Sequence, residues 1–143
     1  MTVARILAVK GRDVISTQPH RTLREVAALL SEKNIGAVLV SGADGQILGI
    51  LSERDIVCAI ASGGAGALED AVSRHMTARV TTATRDTHVD EIMECMTQGR
   101  FRHVPIVEKG ELLGIISIGD VVKHRIAEID HEAKVLKDYI ATA

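Results

Sequence analysis

The sequence predicts an α+β fold built by internal duplication, and three observations predict it. Two short apolar runs each pass into a serine, two variable residues and an aspartate, "GILSERDIV" at 49–57 and "GIISIGDVV" at 114–122. The likeness extends backwards through about 40 residues of each copy at an offset of 65 or 66. Each copy also holds one segment with helical apolar spacing, followed by two nearly continuous apolar runs of strand length.

The elements follow in order. Residues 2–10 read as a short leading helix, and "DVISTQP" as an extended segment. In "TLREVAALLSEKN", Thr22 and Glu25 form a capping box ahead of an apolar stripe of Leu23, Val26, Ala27 and Leu30. Two strands come next, "IGAVLV" and "QILGIL", joined through the turn residues "SGADG". The second copy repeats the order. "RVTTATR" is extended, and "THVDEIMECMTQG" is a helix with Thr87 and Asp90 at its cap and Gly99 as its stop. "RHVPIV" and "ELLGIIS" are its strands. Because these strands are apolar on both faces, helices should cover them. Pro105 stands where the first copy has Leu39, which places its strand at a sheet edge or near a strand end.

Each copy thus reads strand, helix, strand, strand, helix, and the halves divide as residues 1–70 with the leading helix and 71–143 with a last helix. The connector "ASGGAGALEDAVSRHMT" reads as a flexible link on account of its glycines. In the last segment, Val122, Ile126, Ile129, Ala133, Leu136 and Ile140 follow one another at steps of 4, 3, 4, 3 and 4 among charged residues. That is a heptad seam of under three heptads, serving a helix that either docks on its own domain or joins a homodimer.

Composition excludes several functions. Hydrophobic residues make up 46% and charged residues 25% of the 143, and Phe101 and Tyr139 are the only aromatics, so the core is aliphatic. A formal charge of −2 and two aromatics offer neither a basic surface nor a stacking platform for nucleic acid. The longest uncharged stretches, such as 56–68, are too short to span a bilayer, which reads as a soluble cytoplasmic protein. Cys58 and Cys95 have no C-x-x-C spacing and read as buried, inert thiols on helices. The six histidines, at 20, 75, 88, 103, 124 and 131, include no pair at helical ligand spacing, so no metal is expected. No nucleophile elbow, P-loop or H-E-x-x-H motif is present, so the expectation is binding and not catalysis.

The Ser-x-x-Asp corners at Ser52–Asp55 and Ser117–Asp120 admit two readings. Serine at the N-cap with an acid three residues on is a capping box, which needs no ligand. Against that, aspartate is short for the reciprocal bond that glutamate makes more easily, and a helix N-terminus offers free N–H donors to an anion. A carboxylate fixed there can accept from both hydroxyls of a vicinal diol while the serine and backbone amides face a phosphate.

The duplicated unit, with "NIGAVLVSGADGQILGILSERDIV" and "GRFRHVPIVEKGELLGIISIGDVV", resembles a tandem pair of cystathionine-β-synthase (CBS) domains, a Bateman module, over almost the whole chain. The resemblance implies two pseudo-symmetric β-α-β-β-α repeats packed through small sheets, with two clefts between them for adenosine-type ligands. AMP or NAD(H) leads, with ATP, ADP and S-adenosylmethionine as alternatives, and no cofactor is required. By the same resemblance, Asp55 and Asp120 hold ribose hydroxyls, Ser52 and Ser117 lie near ribose or phosphate, and the backbones at Ile35, Gly36, Ala37 and at Phe101, Arg102, His103 meet adenine. Pro105 belongs to the same lining. Thr17 lines a cleft, whereas its counterpart Ala83 weakens one. Arg54, Arg100 and Arg102 suit phosphate through their planar forks and are expected to converge on one phosphate, making the clefts unequal; His103 is either a phosphate contact or a structural histidine. The implied role is an energy or redox sensor acting on another protein, as a homodimer, without nucleic acid or membrane. The alternative is a ligand-free dimerisation scaffold.

Overall fold

The computed structural model of the chain describes residues 1–11 and 13–142. They form two units, one spanning Asp13–Thr81 and the other assembled from the start of the chain and everything from Thr82 onward.

In the first unit, β1 (Ser16–Thr17) precedes α2 (Leu23–Lys33), β2 (Ala37–Ser41), β3 (Ile47–Ser52) and α3 (Glu53–Gly63), while α1 (Val3–Lys10) lies outside it. The sheet order is β1-β2-β3, with β1 parallel to β2 and β2 antiparallel to β3. Thr22 caps α2 by accepting from the Glu25 amide at 3.1 Å, as its spacing predicts, and Asn34 ends the helix in the left-handed region. Leu23, Val26 and Leu30 from α2 pack with Val38, Val40 and Leu51 of the sheet and with Ile56 and Ala59 of α3. With no aromatic in this core, its strength comes from many aliphatic side chains, each contributing about 1.5–3 kcal/mol when fully buried. The connector is not a flexible link. It continues α3 to Gly63, makes a 3-10 turn at Ala65–Glu69 and a short α4 (Val72–His75), and buries Ala67 and Val72 in this core. Its glycines serve turns, with Gly64 at φ 72° where α3 ends.

The second unit contains α5 (Val89–Gly99), β4 (His103–Glu108), β5 (Glu111–Ser117) and α6 (Ile118–Thr142). Its sheet has two strands where the first has three. The stretch expected to mirror β1 makes only a single parallel bridge, Ala83 to Ile106. Pro105 explains the loss. In the first unit the Leu39 amide donates to the Ile15 carbonyl at 3.2 Å, but Pro105 has no N–H to donate. The surviving bonds, Ala83 to the Pro105 carbonyl at 3.0 Å and the Val107 amide to the Ala83 carbonyl at 2.8 Å, avoid the missing donor. β4 therefore has a full partner on one side only, the edge position that Pro105 predicts.

Two details of α5 differ from expectation. Its N-cap is His88, without a side-chain bond, because Thr87 accepts instead from the Thr84 amide. It runs through Gly99, and Arg100 takes the left-handed conformation at φ 57°. Gly99 is required for another reason: the Phe101 ring lies where its Cβ would be. The two cysteines are exposed on α3 and α5, not buried, since the apolar faces of those helices run through Ile56 and Ala59 and through Val89, Ile92 and Met96.

By packing, residues 71–81 go with the first unit and the leading helix with the second. Helix α1 belongs to the second unit, where Val3, Ile6 and Leu7 join Ile92, Met96, Ile106, Leu113 and Ile116 in one core. Leu7 fills the space over Gly114, and a Cβ on that glycine would come within 2.7 Å of Leu7 Cδ2. In the first unit the same duty falls to the end of the connector, where a Cβ on Gly49 would meet the Thr77 carbonyl at 2.7 Å and Met76 Sδ at 2.8 Å. Each hairpin leaves a glycine gap on its second strand, and a segment from elsewhere in the chain covers it.

Helix α6 extends 25 residues, roughly 37 Å at about 1.5 Å per residue. Only Val121 is buried along it. Val122, Ile126, Ile129, Leu136 and Ile140 are all about half exposed or more, so the seam does not dock on its own domain. No helix among the described residues is long and apolar enough to cross a membrane.

The glycine gaps predict unequal costs. At Gly49 the obstructing atom is a backbone oxygen, which cannot rotate away, whereas at Gly114 it is the end of a flexible leucine. Gly49→Ala should lose about 1–3 kcal/mol in urea unfolding and Gly114→Ala less than half of that. Equal losses would contradict this packing.

Candidate functional site

Each unit turns from its last strand into the following helix at the Ser-x-x-Asp corner. In the first unit, Asp55 Oδ2 accepts from the Ser52 amide at 2.9 Å and from Ser52 Oγ at 3.1 Å, while the Asp55 amide donates back to Ser52 Oγ at 3.3 Å. In the second, the Ser117 amide donates to Asp120 Oδ2 at 2.9 Å and the Asp120 amide to Ser117 Oγ at 3.1 Å. Aspartate is thus long enough for the reciprocal bond, contrary to the expectation from its length, and both corners are complete capping boxes. The box occupies only half of each carboxylate. Every bond that either carboxylate accepts falls on Oδ2, and Oδ1 of both aspartates makes no hydrogen bond among the described residues.

Sheet register sets the neighbouring backbone. Ala37 pairs with Ser52 and His103 with Ser117, so the residues entering β2 and β4 lie beside the two corners. The amide after each serine is held from across the strand pair, Glu53 to the Gly36 carbonyl at 2.9 Å and Ile118 to the Arg102 carbonyl at 2.8 Å. Gly36 and Ala37 are therefore brought beside Ser52, and Arg102 and His103 beside Ser117, while Ile35 packs against the first core.

Other expected residues stand apart from the corners. Thr17 pairs with Val40, which in turn pairs with Gly49, so it lies two strands across from β3 and away from Ser52. It lines a separate open groove of about 560 Å³ with Gln18, Arg21, Glu25 and Ser41. The Phe101 ring packs against the second core and Pro105 is buried within β4, so both side chains serve the fold. Arg54, Arg100 and Arg102 are exposed and form no ion pair among the described residues.

One neighbour of the second corner was not anticipated from the sequence. Lys10, the last residue of α1, places Nζ 2.6 Å from Asp120 Oδ2 and 2.7 Å from the Ile115 carbonyl oxygen. Partial burial pushes the Asp120 carboxyl up, but the hydrogen bond from Lys10, those from Ser117 and the lysine charge outweigh it and hold the carboxyl below its ordinary value. Asp55 has no such partner among the described residues: Arg79, three residues past Met76 as Lys10 is three past Leu7, is exposed and unpaired. The partner of Lys10 is 110 residues away in sequence, and only the docking of α1 on Gly114 brings them together.

A family model described as the CBS domain matches the chain twice, over residues 7–62 and 70–127. The chain belongs to the CBS domain family. As a CBS-domain pair it resembles the crystal structure of the CBS-domain containing protein ATU1752 from Agrobacterium tumefaciens, at 50% identity and TM-score 0.85 over 87% of this chain and 92% of that one. It also resembles the CBS domain protein PAE2072 from Pyrobaculum aerophilum complexed with AMP, at 28% identity and TM-score 0.74 over 84% and 89% of the two chains. A third likeness is to the CBS domain pair of protein MJ0100 in complex with 5'-methylthioadenosine and S-adenosyl-L-methionine, at 25% identity and TM-score 0.76 over 86% and 98%.

Because the boxes cap helices whether or not a ligand binds, Ser52→Ala should cost about 0.5–2 kcal/mol in urea unfolding. Asp120→Asn should destabilise in a pH-dependent way. A carboxyl whose pKa is lowered on folding contributes stability above its unfolded value of about 3.9 and loses it as the pH falls through the folded value. The gap between wild type and Asp120→Asn should therefore be open at pH 7 and narrowed at pH 3. A gap independent of pH would contradict the ion pair.

Proposed function

We propose that this CBS-domain pair is a regulatory module that binds an adenosine-type ligand and reports energy or redox state to another protein. The observation that carries this reading is the half-occupied carboxylate: each corner holds its aspartate rigidly through Oδ2 and leaves Oδ1 as an acceptor beside a helix N-terminus. A ribose diol is the matching donor, and each charge-assisted bond contributes on the order of 1.5–3 kcal/mol. AMP in one solved relative, and 5'-methylthioadenosine and S-adenosyl-L-methionine in another, support a ligand with a nucleoside core. AMP and NAD(H) are the leading candidates, followed by ADP, ATP and S-adenosylmethionine. In this reading Ile35, Gly36, Ala37, Phe101, Arg102 and His103 offer backbone groups to adenine, and Arg54, Arg100 and Arg102 meet phosphate. The module works by binding and release, in the cytoplasm, with the regulated activity residing in a partner protein.

The exposed α6 seam supports association with a second copy, since heptad apolar residues left in water gain by pairing with their like. The same seam, together with the closed capping boxes, favours the second reading, in which the chain is a dimerisation scaffold and the corners only cap helices.

Thermal unfolding with AMP, ADP, ATP, NAD+, NADH and S-adenosylmethionine separates the two. A binding ligand at 100 times its Kd stabilises by about 2.7 kcal/mol. At least one should raise the midpoint of the wild type by several degrees, and Asp55→Ala should lose that rise. No rise with any of the six would leave the scaffold. Light scattering should give about twice the 15.3 kDa chain mass, falling to one chain with Ile129→Asp and Leu136→Asp together. A wild-type monomer would contradict the dimer.

A further inference from the structure

We infer that Lys10 closes the Asp120 corner to a sugar diol, so that the Asp55 corner is the nucleoside-accepting position of the chain. This rests on the nucleotide reading above and names which of its two acidic corners is open. The corners match in every bond of the capping box and in the backbone held beside them. They differ in two contacts: Ser52 Oγ also donates to Asp55 Oδ2 at 3.1 Å, and the ammonium of Lys10 bridges Asp120 Oδ2 and the Ile115 carbonyl, the one charged partner at either corner.

Three features make that ammonium hard to displace. It uses two of its three donors on protein oxygens, one of them charged, at distances typical of charge-assisted bonds. The pair is partly exposed, with side-chain exposures of 36% for Lys10 and 23% for Asp120, so solvent offsets only part of the cost of its separation. Its backbone cannot retreat, because Val3, Ile6 and Leu7 bury α1 in the core and Leu7 is seated over Gly114. Only the four-carbon stem of Lys10 can swing. Lys10 stands on Oδ2, the oxygen the box already uses, so a diol reaching Oδ1 of Asp120 meets a carboxylate whose charge is already shared with an ammonium, whereas at Asp55 it meets a carboxylate with no ion pair among the described residues.

The test uses the full chain, with AMP as probe and S-adenosylmethionine as a second probe, in calorimetric titration and native mass spectrometry. Wild type should bind one equivalent per chain, and Asp55→Asn should weaken that binding at least tenfold. Lys10→Met, which keeps the aliphatic stem and removes the charge, should bind a second equivalent, and Lys10→Met with Asp120→Asn should lose it again. Far-ultraviolet circular dichroism melts confirm that each variant is folded. A stoichiometry that stays at one in folded Lys10→Met overturns the closing role of Lys10, as does a wild type that binds two equivalents or an Asp55→Asn chain that binds as tightly as wild type. Failure of both probes to bind either wild type or Lys10→Met counts against the nucleotide reading itself and this inference falls with it.

Discussion

The reciprocal bond between a strand-end serine and the aspartate three residues on is the constraint around which each unit is built. A helix that starts directly from a buried strand leaves its first amides without partners, and in an aliphatic core no other side chain could supply them. Ser52 with Asp55, and Ser117 with Asp120, satisfy those amides from within the turn. The turn in turn sets the direction of α3 and α6, and the bonds from Glu53 and Ile118 tie it to the entry of the neighbouring strand. The same bonds hold the carboxylates in place, so a stabilising device also presents a fixed acceptor.

A second constraint is the bare glycine on β3 and β5. A small hairpin with a glycine in its second strand cannot close its own face, and each unit borrows cover from another part of the chain: the end of the connector over Gly49, and α1 over Gly114. Borrowing of this kind makes the two copies chemically unequal. The piece laid over β5 ends in Lys10, beside an aspartate; the piece laid over β3 carries no cation to Asp55. Two corners with one sequence pattern thus acquire different electrostatic surroundings from segments outside the pattern.

This division tracks what the sequence could reveal. The duplication, the helices α2 and α5, the paired strands and the Ser-x-x-Asp corners depend on local periodicity and local capping, and all were legible. The edge position of β4 was legible from Pro105, but not the reduction of the strand beside it to one bridge, because that depends on a donor lost across the sheet. The connector misled because glycine marks turns as readily as it marks flexibility, and burial of Ala67 and Val72 is a tertiary outcome. The unit to which α1 belongs, and with it the Lys10 contact, lay beyond reach for the same reason. Aspartate closing its own box was misjudged from chain length alone, when the turn backbone brings Oδ2 to 2.9 Å of the serine amide.

The central claim is that a carboxylate held by one oxygen, and left uncovered by any cation, is where a nucleoside docks. A crystal structure of the chain grown with AMP tests it most directly. The account predicts ribose hydroxyls on Asp55 with its capping box intact, and Lys10 still seated on Asp120. A nucleoside on Asp120 with Lys10 swung away, or one bound clear of both aspartates, would contradict it.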